Sequence, residues 1–382
     1  MTTQNSIGKE EFLANASREA ERRGLYDFTI VDADCHHAET SCFPEIAKYV
    51  ENPAIRRIME SNTHKAMNAF IPDMMGDRHV AGRLKRAVKE SDNLYGIGSG
   101  SEALLAHLKH SMKAMAIDYS LLFPTPILAL GMNPKVEVEA ALAHAYDHWL
   151  VENILAVDKS VKALLYLPFN DPDMSLRIIE ELGDKQGVVG FMTTSNRYTK
   201  IQENRQMKVY RALEERELVL GFHSNLNWRE RIFEPLNSFL AAHALGFPVY
   251  NMVHMTNLVL NGIPERFPKL KFAFIEAGLS WLPFMMMRLD NEYMMRMSEA
   301  PLLKKKPSEY IKEFYFTTQP LEADNSYIQT IFEMVGTSQI LYASDYPHWD
   351  FDLPSRVYDL PFLNEEQKRD ILGRNAMKLF KI

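Results

Sequence analysis

Asp34 and His36 stand two residues apart at the end of a short apolar run, and that spacing is the first chemical signal in the chain. On an extended strand alternate side chains share a face, so carboxylate and imidazole project together while Ala33 and Cys35 turn away. His37 then points opposite to His36, which leaves it at most a supporting or substrate-side role. Three further runs end in comparable residues: Gly221-Phe222-His223, Ile275-Glu276 and Ala343-Ser344-Asp345. Neutral imidazoles and carboxylates are the donors expected around zinc, manganese or non-haem iron. Taken singly, each has a plain structural explanation, a helix cap for Asp34 or Asp345 and a hydrogen-bonded core histidine for His36. Their recurrence at four run ends favours a metal site. Glu39 closes the first-strand motif, His348 follows Asp345, and His254, just before 257–262, would lie near the start of the helix after the fifth run and lean into the mouth, so all three are expected as further donors or supports. His144 and His148, four apart beside Tyr146 and Trp149, read as one face of an ordinary amphipathic helix. His64, His79, His107, His110 and His243 end no run and receive no role.

The elements that would bring these residues together are legible as eight β-rich runs separated by amphipathic segments. They are 28–34, 119–124, 161–168, 187–193, 218–223, 270–276, 313–318 and 339–345. Strands alternating with helices eight times predict an α/β fold of the (β/α)8 TIM-barrel class, in which strand C-termini open onto one face. Periodicity alone also fits an open doubly wound sheet. The reading is one domain over 1–382, with an N-terminal extension at 1–27 and a long insertion after the first strand. That insertion, 40–115, contains a break at Gly96, Gly98 and Gly100 and is expected as a lid over the barrel mouth.

Composition narrows the function classes. The 382 residues are 46% hydrophobic and 24% charged, with a formal net charge of -7 and a pI near 6.0. Such a balance predicts a large core and no nucleic-acid partner, since nothing offers the positive surface that phosphates require. Cys35 and Cys42 are too few for a disulfide framework or an iron–sulfur cluster. No signal-peptide core or membrane-length apolar stretch is evident, so a cytoplasmic protein without a membrane partner is expected. Methionines at 285–287, 294, 295 and 297 suggest an adaptable apolar surface for a homo-oligomer or for a paralogous subunit.

The motifs resemble a known family. Asp32-Ala33-Asp34-Cys35-His36-His37-Ala38-Glu39, His223, the stretch from Gly262 to Lys271, Glu276-Ala277-Gly278-Leu279-Ser280-Trp281-Leu282-Pro283 and Ser344-Asp345-Tyr346-Pro347-His348 together resemble the amidohydrolase superfamily. The similarity is to the branch that includes aminocarboxymuconate-semialdehyde decarboxylase and the resorcylate-type decarboxylases. It implies that Asp34 and His36 form the first-strand ligand pair, with His223 and Asp345 as ligands from the fifth and eighth strands. The chain departs from that branch in two places. Asp34 stands where histidine or glutamate is usual, and Glu276 stands where many of the decarboxylases keep a catalytic histidine.

Asp34, His36, His223, His254, Glu276 and Asp345 exceed what one zinc needs, and such a surplus suits two iron or manganese ions. A smaller set of amidohydrolase-fold proteins, the diterpenoid-hydroxylating monooxygenases and 2-aminoisobutyrate hydroxylases, is similar at Ser344–Asp352 and Thr317–Glu322. That resemblance implies a dinuclear oxygenase acting on a small molecule, with Asp345, Glu276 and His254 catalytic and electrons arriving from a ferredoxin or reductase. A mononuclear hydrolase or decarboxylase, holding zinc, is the alternative. A supporting subunit of a catalytic paralogue is the third reading.

Overall fold

The computed structural model describes residues 9–61, 98–225, 230–322 and 324–382. Eight parallel strands follow one another in sequence order around a single sheet. They are β1 (Val31–His37), β2 (Tyr119–Pro124), β3 (Val161–Tyr166), β4 (Val188–Thr193), β5 (Val219–His223), β6 (Phe272–Ile275), β7 (Tyr315–Thr317) and β8 (Ile340–Leu341). The last strand returns to the first through Ala33 N–H to Tyr342 O at 2.9 Å, His36 N–H to Tyr346 O at 2.8 Å and a parallel bridge between Cys35 and Tyr346. This is the (β/α)8 barrel, and the open doubly wound sheet is excluded.

Six helices matter below: α1 (Lys9–Arg22), α2 (Ser101–Ala114), α3 (Val136–Leu150), α4 (Pro172–Leu182), α5 (Phe239–Leu260) and α6 (Trp281–Met295). Local chemistry sets their ends. At α4 the Asp171 carboxylate accepts from the Asp173 and Met174 N–H groups, and Pro172 occupies the first turn, where its missing donor costs nothing. At α6 the N–H groups of Leu279 and Ser280 donate to Glu322 at 3.2 and 2.9 Å, placing a carboxylate at the positive end of the helix.

Within the segment expected as a lid lies α2, whose Leu104, Leu105, Leu108 and Met112 are buried. His64, His79, Gly96 and the rest of 62–97 lie outside the described residues. The methionine run divides: Met285 and Met286 are buried, whereas Phe284, Met287, Met294, Met295 and Met297 are exposed. Among the described residues no helix is long and apolar enough to cross a membrane.

Strand alternation sorts the wall into two faces. Asp34, His36 and His223 point inward; Phe222, Phe272 and Phe274 point outward. Phe222 stacks on Phe274 with centroids 5.3 Å apart, and Phe274 stacks on Phe316 at 5.7 Å. Each buried ring contributes on the order of 1.5–3 kcal/mol. The scaffold's stability therefore resides behind and below the mouth, independent of the polar residues that the strands deliver to it.

Candidate metal centre

The first-strand residues meet the fifth strand inside the barrel. His36 Nε2 lies 3.1 Å from Asp34 Oδ1 and 3.1 Å from His223 Nε2, and His223 Nε2 is 3.2 Å from Glu276 Oε2. Asp345 Oδ1 approaches His36 Nε2 at 3.3 Å. The donor atoms form two overlapping groups: Asp34, His36, His223 and Glu276, and then His36, Glu276, Asp345 and His348. His36 and Glu276 belong to both.

Hydrogen bonding fixes which ring nitrogens are free for a ligand. His36 Nδ1 bonds to the Pro124 carbonyl at 2.9 Å and His223 Nδ1 to the Ser224 carbonyl at 2.9 Å. A carbonyl only accepts, so each Nδ1 carries the proton and each Nε2 presents a lone pair. The two Nε2 lone pairs thus face each other and the Asp34 carboxylate. Both Asp34 oxygens and Glu276 Oε2 are buried without a hydrogen-bond donor. Such an arrangement of acceptors with nothing to accept from is costly in protein alone, and a cation among them removes the cost. The residues present fit a divalent metal ion, and the carbonyls behind the histidines supply the outer contacts that orient metal ligands.

The electrostatics agree. Burial pushes Glu276 well above the ordinary carboxylate range, and Asp34 and Asp350 add to the shift. Burial likewise raises Asp345, reinforced by Glu276 and Asp34. Burial holds His36 below its ordinary value. Glu276 and Asp345 crowd against Asp34, and a bound cation would supply the positive charge that favours their ionised forms.

Local backbone geometry aims two of these side chains. Glu276 and Asp345 have φ of 50° and 59°, a left-handed conformation unfavourable for residues with a β-carbon. Surrounding bonds impose it. Glu276 N–H donates to Thr317 Oγ1 at 3.1 Å, and Asp345 N–H donates to the Asp34 carbonyl at 2.7 Å. Gly278 follows in the same left-handed region, where an added β-carbon would sit 2.7 Å from Glu322 Oε1. This turn carries the chain from β6 into α6 while leaving Glu276 in the mouth.

Several expected residues lie elsewhere. His254 joins neither donor group. It sits in the middle of α5, where its ring packs at 5.2 Å on Phe222, whose side chain is outward because it precedes inward His223. Its Nε2 bonds to the Thr194 carbonyl at 3.2 Å, and burial lowers it to about 4. Glu39 is a structural anchor: it accepts from the Thr125 and Ile127 N–H groups at 3.0 and 2.6 Å. His37 lies outside the wall, bonded to the Tyr146 hydroxyl at 2.9 Å and stacked on Trp149. His348 does reach the site, with Nδ1 donating to Asp345 and Nε2 3.2 Å from Thr125 Oγ1.

Three supports were missed in the sequence. Asp32 accepts from Ser344 N–H at 2.8 Å and from Ser344 Oγ at 2.5 Å, tying β1 to the turn that holds Asp345. Gln319 donates to Asp345 Oδ2 at 3.2 Å. Asp350, with His243, Phe247, Met252 and Trp281, lines a cavity of about 570 Å³ that opens beside Glu276. Asp32 was detectable, being two residues before Asp34 on the same strand face; Asp350 and His243 carried no positional signal.

The amidohydrolase family model matches residues 107–382. A gamma-resorcylate decarboxylase from a Polaromonas species is 24% identical over 255 residues, covering 63% of this chain and 76% of its own. The gamma-resorcylate decarboxylase of Rhodococcus jostii is 21% identical over 270 residues, 66% of this chain and 80% of its own. The fold matches 5-carboxyvanillate decarboxylase from Novosphingobium aromaticivorans, solved with manganese and 4-hydroxy-3-methoxy-5-nitrobenzoic acid, with a TM-score of 0.70 at 19% identity over 94% of this chain and 97% of that one. An amidohydrolase from Mycobacterium avium subsp. paratuberculosis gives a TM-score of 0.71 at 17% identity over 92% and 99% of the two chains.

Proposed function

Because this chain belongs to the amidohydrolase family, we propose that it is a metal-dependent carboxy-lyase, removing CO2 non-oxidatively from a small carboxylic acid. The observation that carries the metal is the convergence of two imidazole lone pairs on an unpartnered Asp34 carboxylate. The observation that carries the reaction class is the likeness to decarboxylases of aromatic acids, including one solved with manganese. This reading replaces the monooxygenase favoured by the motif resemblance, because three of the four similar proteins named above are decarboxylases and none is an oxygenase.

Asp34, His36, His223 and Asp345 would hold the ion, with Glu276 beside them. A divalent ion there supplies Lewis acidity, which orients the substrate carboxylate and stabilises the charge left as its carbon–carbon bond weakens. The chain's own residues do the rest. Non-oxidative decarboxylation breaks the bond to the carboxylate carbon, releases CO2 and requires a proton at the carbon left behind. Glu276 stands between the ion ligands and the apolar cavity, so its carboxyl is placed to deliver that proton. Trp281, Phe247 and Met252 keep water from the substrate's apolar body.

The test is turnover of manganese- or zinc-loaded protein on hydroxy- and amino-substituted benzoates under anaerobic conditions, read as CO2 release. Glu276→Gln keeps shape and removes the exchangeable proton, and it should lower turnover by about 10²–10⁴-fold with metal retained. Unchanged turnover in that variant would overturn the proton-delivery role.

A dinuclear oxygenase is the second reading, favoured by the two overlapping donor groups that share His36 and Glu276. It requires about two equivalents of iron or manganese per chain, dioxygen, and two electrons from an external reductant, one oxygen atom entering product and the other leaving as water. Elemental analysis with turnover in the presence and absence of dioxygen separates the two readings.

A further inference from the structure

Helix α5 lies outside the barrel wall, yet its 22 residues include no aspartate, glutamate, lysine or arginine. One side is buried through Ala242, Met255 and Leu258. The other side turns to solvent and carries Leu240, Leu245 and Val253, all exposed. The charged face that a surface helix ordinarily presents to water is missing. Helix α6 packs beside α5 and continues the surface. Phe284, Met287 and Met294 fall three and seven residues apart, on one stripe of the helix, and are exposed together with Met295. Arg288 and Glu292 pair with each other at 3.0 Å, so they ask for no outside charge. Exposed apolar residues scattered singly need no explanation, but a face continued over two adjacent helices marks an interaction site. Its area is comparable to the ~800 Å² that each side of a standard interface buries.

Three kinds of partner could cover such a face, and one fits. Among the described residues no helix is long and apolar enough to cross a membrane. A chain of net charge -7 with no basic side chain on α5 has no attraction for an anionic lipid surface. An unrelated protein that recognised its target by charge would find none to pair with along α5. Two copies of this chain, each carrying -7, repel each other and approach most closely where neither brings a carboxylate. An isologous two-fold contact sets one patch against itself, and an uncharged apolar patch is complementary to itself.

We propose that α5 and α6 form the face on which a second copy of this chain docks about a two-fold axis, and that the docked copy closes the outer side of the cavity beside Glu276. The two parts are joined through shared residues. Ala244, Phe247, Pro248 and Met252 of α5 and Trp281 of α6 line the cavity. Ala244 is exposed at its rim, next to Leu245 and one helical turn from Leu240. A copy seated on Leu240 and Leu245 therefore covers Ala244 and shuts water out of the cavity from that side. This closure is independent of which reaction the metal centre performs.

Sedimentation equilibrium of the manganese-loaded full chain tests the docking face. Wild-type protein should sediment at twice 44.0 kDa at micromolar concentration. Val253→Asp combined with Met287→Glu alters only exposed positions and should raise the dimer dissociation constant by more than about 100-fold, because each copy would bury unpaired carboxylates. Unchanged circular dichroism and manganese content in that variant keep lost association apart from lost folding. Val157→Asp, at an exposed apolar position between α3 and β3, should leave the dimer intact. Ala244→Cys reports on the cavity rim, because Cys35 and Cys42 are buried and a maleimide then reads position 244 alone. Labelling there should slow in proportion to the dimer fraction as chain concentration rises, and should not slow in the Val253→Asp, Met287→Glu background. A wild-type chain that stays at 44.0 kDa, a double variant that still dimerises, or dissociation by Val157→Asp as well overturns the docking face. Labelling at position 244 that is independent of association overturns the closure.

Discussion

Two clusters in this molecule contain the same residue types, yet they differ in what surrounds them. In the barrel mouth, His36, His223, Asp34 and Glu276 face one another with their protons turned away and their acceptors unpartnered. On the outer helices, His144 and His148 of α3 reach Glu181 of α4, both Nε2 atoms bonding to the same oxygen at 2.8 and 3.0 Å. There the account closes within the protein. Glu181's other oxygen takes Arg177 at 2.7 Å, and Arg177 also binds Glu51, so positive charge is already present. The composition of a histidine–carboxylate cluster says little about metal binding. What discriminates is whether the donors already have donors of their own.

The largest effect that could break this comparison is on metal content. His223→Ala removes one of the two converging imidazoles and should weaken metal binding by more than about 100-fold, since loss of a mere outer-shell partner already costs 10–100-fold. His148→Ala should leave it unchanged. Circular dichroism on both should show an intact barrel, because the packed aromatic layer outside the wall does not involve either side chain. Equal metal loss in the two variants would abolish the distinction.

Metal-linked stability comes next in size. An ion that binds only the folded chain stabilises it by about 2.7 kcal/mol at a hundredfold excess over its dissociation constant. Manganese should therefore raise the unfolding midpoint of the wild-type and of Glu181→Gln alike, and not that of Asp34→Asn. A smaller effect follows at the support missed in the sequence. Ser344→Ala leaves Asp32 Oδ2 without its hydroxyl partner in a fully buried place, a loss of about 1–3 kcal/mol. It should also loosen the turn that holds Asp345 left-handed, weakening metal binding by roughly tenfold, measurable by competition with a chelator.

The same contrast explains how far the sequence could be read. The barrel was legible because strand and helix periods alternate eight times, and β2 occupies the expected 119–124. The eighth run was expected over 339–345, but its ladder stops after Leu341. Ala343, Ser344 and Asp345 give their N–H groups to Thr318 Oγ1, Asp32 and the Asp34 carbonyl instead. Those partners are remote in sequence, so no local pattern announces them. Asp34, His36, His223, Glu276 and Asp345 were nameable as candidates because they end inward-facing strands. His254 was expected near the start of the helix after the fifth run, leaning into the mouth, whereas α5 begins at Phe239 and carries it in mid-helix behind the wall. Glu39 was named as a further donor or a support, and the N–H groups of Thr125 and Ile127 that it accepts from give it a supporting use that no local pattern announces.

The smallest expected effect belongs to the outer cluster, and its pH dependence has a definite sign. Burial would raise Glu181, but hydrogen bonds from His148, Arg177 and His144 outweigh it and bring the group from 4.5 down to about 2. A carboxyl depressed in the folded state binds fewer protons there than in the unfolded chain. Its contribution is therefore fully present above about pH 4.5 and disappears as the pH falls toward 2. Because the cluster is partly exposed, with Glu181's side chain 33% accessible, that contribution is at most about 1 kcal/mol. Urea titrations of wild-type and Glu181→Gln should differ by this small, constant amount from pH 5 to 7 and converge below pH 3. A gap that instead widened on acidification, or that changed with added manganese, would show that the outer cluster depends on a bound cation and that the contrast with the barrel mouth is false.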